Sequence, residues 1–263
     1  MVEQGLGKNM AKSMKHWAES TKIINRVYNG KGKQFDYVIS DIGDLIFSDK
    51  GDEFLQYSDT IWLLHYLMVT NHKKNALWYY LFNSFGSEVF TRDSFINSLK
   101  AWLARLEYKN IPNIKQLERD FNCCMNMYCM NESKRKKSME EYFTSPFNQL
   151  QLINENKGEF RLRRMSSMEI SKEMFAYCLL DFLKHYPKNS DVPFAEIQHG
   201  EKSPGKVFNI VENTLVEYLE SFVKLLNGTF EFESTAGMKT LFLLKEFPNN
   251  YDKYLKKAFS IVS

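Results

Sequence analysis

The chain has 263 residues, a formal net charge of +3 and 44% hydrophobic residues, so it can bury a substantial core and suits two or three domains. Its nearest approach to a membrane span, residues 61–69, is too short to cross a bilayer, and no signal peptide is recognisable, which excludes a membrane-spanning helix and predicts a cytoplasmic protein. Basic residues exceed acidic ones by five within residues 1–34 alone, so we expect this end of the chain to meet a polyanion.

The first predicted element is a helix over residues 8–22. Its apolar residues recur at helical spacing, so we expect one stripe of the helix to face a core. That stripe consists of Met10, Met14, Trp17 and Ala18. With about 100° per residue, lysines gather on the opposite side, where Glu19 is the one acid. Those lysines are Lys8, Lys12, Lys15 and Lys22. Gly5 and Gly7 would let the chain approach a phosphate closely at the helix N-terminus.

A β-hairpin is predicted next, from strands over residues 23–28 and 34–39 that are joined at Asn29-Gly30. Lys31 and Lys33 fall at its tip, and Ser40 then begins a short helix. Helix, basic hairpin and short helix are typical of a winged-helix-like module, which we assign to residues 1–50. The alternative is an ordinary amphipathic surface helix with a solvated polar face.

This module supplies the candidate DNA-binding residues. The helix would contact phosphates and groove edges, and the hairpin tip would touch the backbone. The six predicted contact residues are Lys8, Asn9, Lys12, Lys15, Lys31 and Lys33.

Residues 51–190 are predicted to form a helical domain. Its helices span residues 58–71, 75–85, 91–108, 112–130 and 171–186. We expect the aromatic residues and His65 to lie in the core rather than in a site. The basic run 134–137 is more typical of a solvated loop than of a phosphate contact. Residues 159–165 alternate as an edge strand would.

Residues 191–263 are predicted to form a C-terminal α+β unit. Ser203-Pro204 begins a helix, and a second helix over residues 213–226 ends at Asn227-Gly228. A hairpin from residues 229–233 and 238–244 follows. Because helix then hairpin repeats the order of the first module, a second winged-helix-like fold is one option. The predicted fold class is mainly α with small β-hairpins (α+β).

No catalytic motif, cofactor motif or metal site is recognisable. The four cysteines lack zinc-ligand spacing and indicate reduced thiols, and the five histidines show no triad spacing. The cysteines are Cys123, Cys124, Cys129 and Cys178. We therefore expect a non-enzymatic protein without a cofactor or a bound metal.

Nine segments, spread over nearly the whole chain, carry a family resemblance. They are GLGKNMAKSMKHW (5–17), SDIGDLIF (40–47), TIWLLHYLMVTN (60–71), WYYLFNSF (78–85), FTRDSF (90–95), LERDFNCCMNMY (117–128), SPFNQLQLI (145–153), SPGKVF (203–208) and TAGMKTL (235–241). In these segments the chain resembles the prokaryotic family called "domain of unknown function 4007". The resemblance implies an accessory protein encoded near DNA-modification and phage-defence genes, particularly those of phosphorothioation, the sulfur-based modification of the DNA backbone.

Relatives in that family usually carry an aromatic-rich segment before the first motif. We therefore expect this chain to be shortened or truncated at its start, which would remove the first helices of the winged-helix-like module.

The leading prediction is thus a DNA-binding accessory protein of a prokaryotic DNA-modification or phage-defence system. Its predicted partners are double-stranded DNA and other proteins of such a system, with no membrane and no metal. The first alternative is a protein-interaction scaffold without direct DNA contact, and the second is a cryptic nucleic-acid enzyme.

Overall fold

The computed structural model describes residues 7–30, 35–49, 51–106, 111–129, 145–186, 191–235 and 237–262. Four sequence predictions lie outside these described residues: Gly5, the hairpin-tip residues Lys31 and Lys33, and the basic run 134–137.

The chain begins with a helix, a hairpin and a second helix, in the predicted order. These are α1 (Lys8–Ser20), β1 (Ile24–Tyr28), β2 (Phe35–Ile39) and α2 (Asp41–Phe47). The two strands are antiparallel and pair Tyr28 with Phe35, so their connection is longer than a two-residue Asn-Gly turn. Gly30, at the start of that connection, adopts a φ of 78°. Ser40 caps α2 by accepting a hydrogen bond from the Gly43 N–H at 3.0 Å. The hairpin and the cap are therefore confirmed, and the winged-helix assignment of this module stays a prediction.

Close packing fixes α2 against the base of the hairpin. A Cβ added to Gly43 would lie 2.3 Å from the Ile23 carbonyl oxygen, so only glycine allows this approach. The Ser40 hydroxyl also donates to the Lys22 carbonyl at 2.6 Å. The hairpin thus leaves the body of the protein from a rigid base.

Helix α3 (Ser58–Val69) lies at the centre of the core, and every residue after Ser58 is buried. His65 is fully buried there, where its Nδ1 lies 2.7 Å from the Tyr128 hydroxyl and its Nε2 lies 3.2 Å from the Val207 carbonyl oxygen. A carbonyl only accepts, so Nε2 carries the proton and Nδ1 accepts from Tyr128. The expectation of a hydrogen-bonded core histidine is confirmed.

A three-stranded sheet with two intervening helices follows. Its elements are α4 (Ala76–Tyr79) continued by a π-helical turn (Tyr80–Ser84), β3 (Val89–Thr91), α5 (Arg92–Arg105), α6 (Ile114–Tyr128), a 3₁₀ turn (Pro146–Leu150), β4 (Ile153–Asn156) and β5 (Glu159–Leu162). The strand order is β3-β5-β4, so β5 is the central strand. The prediction of an edge strand at residues 159–165 was wrong, because the second partner, β3, lies far upstream in the sequence.

The C-terminal part repeats this plan. Its elements are α7 (Lys172–Leu183), β6 (Val192–Pro193), α8 (Phe194–His199), α9 (Pro204–Val207), α10 (Glu212–Leu226), β7 (Phe230–Thr235), β8 (Met238–Leu243) and α11 (Asp252–Val262). The strand order β6-β8-β7 again places the last strand in the middle. The predicted helix and hairpin are confirmed, whereas β6, α8 and α11 were not predicted.

One apolar cluster runs from Ile46 to Phe259 and contains residues of all three predicted segments. The α+β fold class is confirmed, and the division at residues 50 and 190 stays a prediction. Across the part of the chain that the structure describes, no helix is both long enough and apolar enough to span a bilayer.

Candidate nucleic-acid interface

Helix α1 is anchored to the body by its C-terminal half. The Trp17 ring meets the Trp78 ring edge to face, with 5.4 Å between the ring centres. The Asn71 side-chain amide donates a hydrogen bond to the Ser20 carbonyl at 3.2 Å. This bond satisfies one of the carbonyl groups at the end of the helix that have no partner within the helix. The C-terminal end of the helix is therefore fixed to the body, and its first turns extend from that anchor.

The first turns of α1 carry an exposed row of lysines. Lys8, Asn9, Lys12 and Lys15 are all exposed, as the sequence predicts. None of these lysines has an ion pair within the described residues. Glu19, the one acid on this side, is engaged elsewhere, because Lys74 approaches its carboxylate to 3.0 Å. The row is therefore cationic over its full length.

The opposite side of α1 does not face a core along its whole length. Met10 and Met14 are 59% and 55% exposed, and only the later members of the stripe, Trp17 and Ala18, are half-buried. The prediction of a continuous buried stripe was wrong. Helical spacing shows that a helix has an apolar side, but it does not show how far the neighbouring elements reach along that side.

Lys22 also departs from its predicted place in the lysine row. Helix α1 ends at Ser20, and Lys22 adopts a φ of 58°, which turns its half-buried side chain inward. Its ammonium group lies 3.5 Å from the Thr70 hydroxyl. Burial lowers the pKa of Lys22, with Asp181 opposing that shift.

Lys22 lines a polar cavity of about 330 Å³ between α3, α7 and the turn before α9. Asp181, which also lines it, accepts hydrogen bonds from Lys184 and from the Tyr66 hydroxyl. Charges of both signs are thus balanced inside this cavity, and Lys22 belongs to it rather than to the surface of α1.

The hairpin continues the basic row with cations placed on aromatic rings. The Lys15 ammonium group lies 3.6 Å from the Tyr37 ring centre, and the Arg26 guanidinium lies 3.6 Å from the Phe35 ring centre. The strand register pairs Arg26 with Tyr37 and Tyr28 with Phe35, which puts these residues on one face. Cations held over rings keep their charge and lose freedom of movement.

Sequence reasoning missed this cation–aromatic face of the hairpin. The pattern that would reveal it is the period of two in Arg26 and Tyr28 on one strand and Phe35 and Tyr37 on the other. That period shows which residues of each strand share a face, and the observed pairing of Tyr28 with Phe35 brings the two alternating pairs onto the same face.

The four cysteines are free thiols, as expected. Cys123 on α6 is exposed, and Cys124, Cys129 and Cys178 are buried. Burial raises the pKa of Cys129 to about 12, so this thiol stays protonated and unreactive at neutral pH.

The fold and this surface define an α+β protein with a cationic helix–hairpin module at one end and two helix-and-sheet units that share a strand order. The chain belongs to the family described as "Protein of unknown function (DUF4007)", which matches residues 1–259. Family membership, expected from the nine motif segments, is confirmed.

Two solved structures share this fold. "SspB crystal structure" matches with a TM-score of 0.87 and 20% identity, covering 99% of this chain and 78% of that one. "Magnesium ion-bound SspB crystal structure" matches with a TM-score of 0.86 and 19% identity over the same shares of the two chains. No curated protein matches the sequence. At these identities the similarity establishes the fold alone.

Proposed function

We propose that this protein is a DNA-binding accessory protein of a prokaryotic DNA-modification or phage-defence system, and that α1 and the β1–β2 hairpin contact duplex DNA. The observation that carries the proposal is the exposed row of Lys8, Lys12 and Lys15, which has no acidic partner among the described residues. Lysines that neutralise phosphates release condensed counterions, which is the main source of affinity for a duplex.

The hairpin supports the same proposal. Lys15 and Arg26 are held over Tyr37 and Phe35, so positioned cations lie on both the helix and the strands of this module. Positioned cations set the register of a protein on the phosphate backbone. Asn9, beside the lysine row, offers an amide that both donates and accepts at a groove edge.

The place in a modification or defence system rests on the family resemblance. That resemblance implies gene neighbourhoods of DNA modification and phage defence, with phosphorothioation foremost. A duplex that carries sulfur in its backbone is therefore the informative substrate to compare with an unmodified one.

Fluorescence anisotropy of a labelled duplex, modified and unmodified, titrated over a salt series tests the proposal. We expect binding with a steep salt dependence. The triple substitution Lys8→Ala, Lys12→Ala and Lys15→Ala should weaken binding and make the salt slope shallower by about one for each phosphate that the variant no longer neutralises.

The matched control removes the same charge from other exposed sites. Lys224→Ala, Lys253→Ala and Lys256→Ala lie on α10 and α11 and are exposed in the structure. Binding that falls equally in both triple variants would show a general charge effect, and unchanged binding in the α1 variant would overturn the assignment to α1.

Docking of a partner protein on the same module is the second candidate function. The exposed Met10 and Met14 of α1, together with Val38 and Ile39 of β2 at 46% and 53% exposure, favour it. A partner that covers them would raise the solubility of the co-expressed pair, and Met10→Ser with Met14→Ser would remove that effect. DNA binding that survives this double substitution would separate the two candidates.

One of the two similar structures is magnesium-bound, which raises the question whether residues of this chain fit a metal ion. A cleft of about 780 Å³ between α2 and α11 has several carboxylates, namely Asp41, Asp44, Asp49 and Asp252. No group of three or more histidine, cysteine, aspartate or glutamate side chains among the described residues converges to hold a metal ion. The described carboxylates of this cleft therefore do not fit a metal ion. Incubating plasmid DNA with the protein and magnesium tests the cryptic-enzyme alternative directly.

A further inference from the structure

Helices α6 and α10 occupy equivalent positions in the two helix-and-sheet units. In each unit the first strand of the sheet is followed by helices and then by a hairpin, whose second strand is the central strand of the sheet. Helices α6 and α10 are the last described α-helices before that hairpin. In helix-turn-helix proteins the second of the two helices lies in the major groove of DNA. What the two helices show to solvent decides whether either can do so.

The outward face of α6 is rich in hydrogen-bond donors and carries no acid. Its inward face is buried at Leu117, Phe121, Cys124, Met125 and Tyr128. Its exposed residues are Ile114, Lys115, Gln116, Arg119, Asn122, Cys123 and Asn126. The two acids of the helix, Glu118 and Asp120, are half-buried at the borders of that face.

The outward face of α10 has the opposite charge. Its exposed residues are Glu212, Asn213, Glu217, Glu220 and Lys224. Glu212 is paired with Lys239 of β8 at 2.6 Å, and the remaining two acids against one cation make this face unfavourable for a phosphate backbone. The outward face of α6 thus suits nucleic acid and that of α10 does not. Helix α10 therefore serves as a comparison for α6 within the same protein.

A shallow cleft bordered by basic residues adjoins the start of α6. It has a volume of about 550 Å³ and is lined by Lys100 of α5 and by Lys115 and Arg119 of α6 together with residues 112–114, and among the described residues that line it there is no acid. Three cations around an open cleft suit the passage of a phosphate backbone.

Helix α6 lies near helix α1. The charges of His16 on α1 and Asp120 on α6 influence each other, and Trp17 of α1 packs on Trp78 of α4. Helix α4 in turn contacts α6. Helix α6 therefore lies near the anchored end of α1.

From these observations we infer that α6 is a DNA-reading helix, which lies in the major groove of duplex DNA beside the α1 contact. This inference rests on the proposed DNA binding and names a second site for it. Arg119 and Asn122 face base edges, where arginine pairs with guanine and asparagine with adenine. Lys100 and Lys115 face phosphates across the cleft. Duplex RNA does not admit a helix in this way, because its major groove is deep and narrow.

Cys123 provides a native probe for this contact, since it is the exposed thiol on α6 while the other three are buried. Thiol alkylation followed by mass spectrometry should modify Cys123 in the free protein. A saturating DNA duplex should slow that modification at least about fivefold, as the helix would be covered in the groove, and duplex RNA of the same sequence should not. Equal protection by RNA and DNA would overturn the major-groove placement.

A variant test accompanies the probe. Arg119→Ala with Asn122→Ala should weaken DNA binding by about tenfold or more, given the discrimination energy of side chains that contact bases. The matched control, Asn213→Ala with Lys224→Ala on α10, removes the same kinds of side chain from the acidic face and should leave the dissociation constant unchanged. Thermal melts check that both variants stay folded.

The possible results separate this inference from the proposed function. If the wild type binds DNA and the α1 triple variant loses affinity, while the α6 variant does not and Cys123 stays reactive in the complex, the α6 inference fails and the proposed function stands. If the wild type binds no duplex at low salt, both fail. Loss of affinity in the α6 variant together with protection of Cys123 supports the reading helix.

Discussion

The Lys15 ammonium group lies 3.6 Å from the centre of the Tyr37 ring, and this contact joins the exposed half of α1 to the hairpin. Helix α1 is otherwise anchored near its C-terminal end, at Trp17. The cation–π contact therefore links the lysine row to the strands. It also connects the stability of this module to its proposed contact with DNA.

Replacing Tyr37 with leucine should loosen this connection. We expect the free energy of unfolding to fall by at most about 1 kcal/mol, the size of an exposed cation–π contact. We also expect weaker DNA binding, because Lys15 loses its fixed position. Urea unfolding and anisotropy measure the two effects. Tyr37→Phe keeps the ring and should resemble the wild type, so identical behaviour of the leucine and phenylalanine variants would contradict a role for the ring.

The buried His65 should make stability depend on pH. Burial lowers the pKa of His65 in the folded state from 6.5 to about 3, so between these values the unfolded chain binds a proton that the native state does not. The free energy of unfolding should therefore decrease as the pH falls below 6.5, by about 2 kcal/mol from this group at pH 5. Above pH 6.5 the contribution is constant.

Urea unfolding of the wild type and of His65→Gln at pH 7 and pH 5 measures this dependence. Other groups titrate in both proteins, so the informative quantity is the difference between them. The variant should be less stable at pH 7, because it disturbs the hydrogen bonds to Tyr128 and Val207. That difference should narrow at pH 5, and a difference independent of pH would contradict the assignment.

Alanine at Gly43 should destabilise the base of the hairpin. Its Cβ would lie 2.3 Å from the Ile23 carbonyl oxygen, which is backbone and cannot rotate away. We expect a loss of about 1–3 kcal/mol in the free energy of unfolding, measured by denaturant titration. Gly86→Ala is the control, since no atom lies within 4 Å of its added Cβ. Equal losses at the two positions would contradict the close approach of α2 to the hairpin.

Thiol reactivity should divide the cysteines into two groups. A maleimide at pH 7 should add once to the native protein, at the exposed Cys123, and four times after denaturation in urea. Intact-mass spectrometry counts the additions. Rapid addition to Cys129 in the native state would contradict the burial that raises the pKa of this thiol to about 12.

Much of the local structure could be predicted from the sequence. Ser40, Thr91, Asn113 and Ser171 each cap the helix that the sequence places after them. Asn29-Gly30 marks the first hairpin, and the nine motif segments identify the family. These features are local because a cap or a tight turn depends on a few neighbouring residues and their allowed dihedral angles.

The site could be predicted only in part. Lys8, Asn9, Lys12 and Lys15 share an exposed helix as expected, whereas Lys22 turns into a polar cavity. The error arose at the end of α1, where one residue with a positive φ redirects the chain. Helix ends are hard to place from periodicity, and an error of two residues moves a side chain by about 200° around the axis.

The sequence by itself determined the α+β class, most helices, both predicted hairpins and the charge of α1, because these follow from composition, spacing and local capping. Only the tertiary structure decided that Met10 and Met14 stay exposed, that β5 is a central strand and that α6 and α10 are equivalent helices with opposite surface charge. Each of these depends on which distant segments meet. A periodic pattern shows which residues share one face of a helix or strand. It does not show which other element of the fold covers that face.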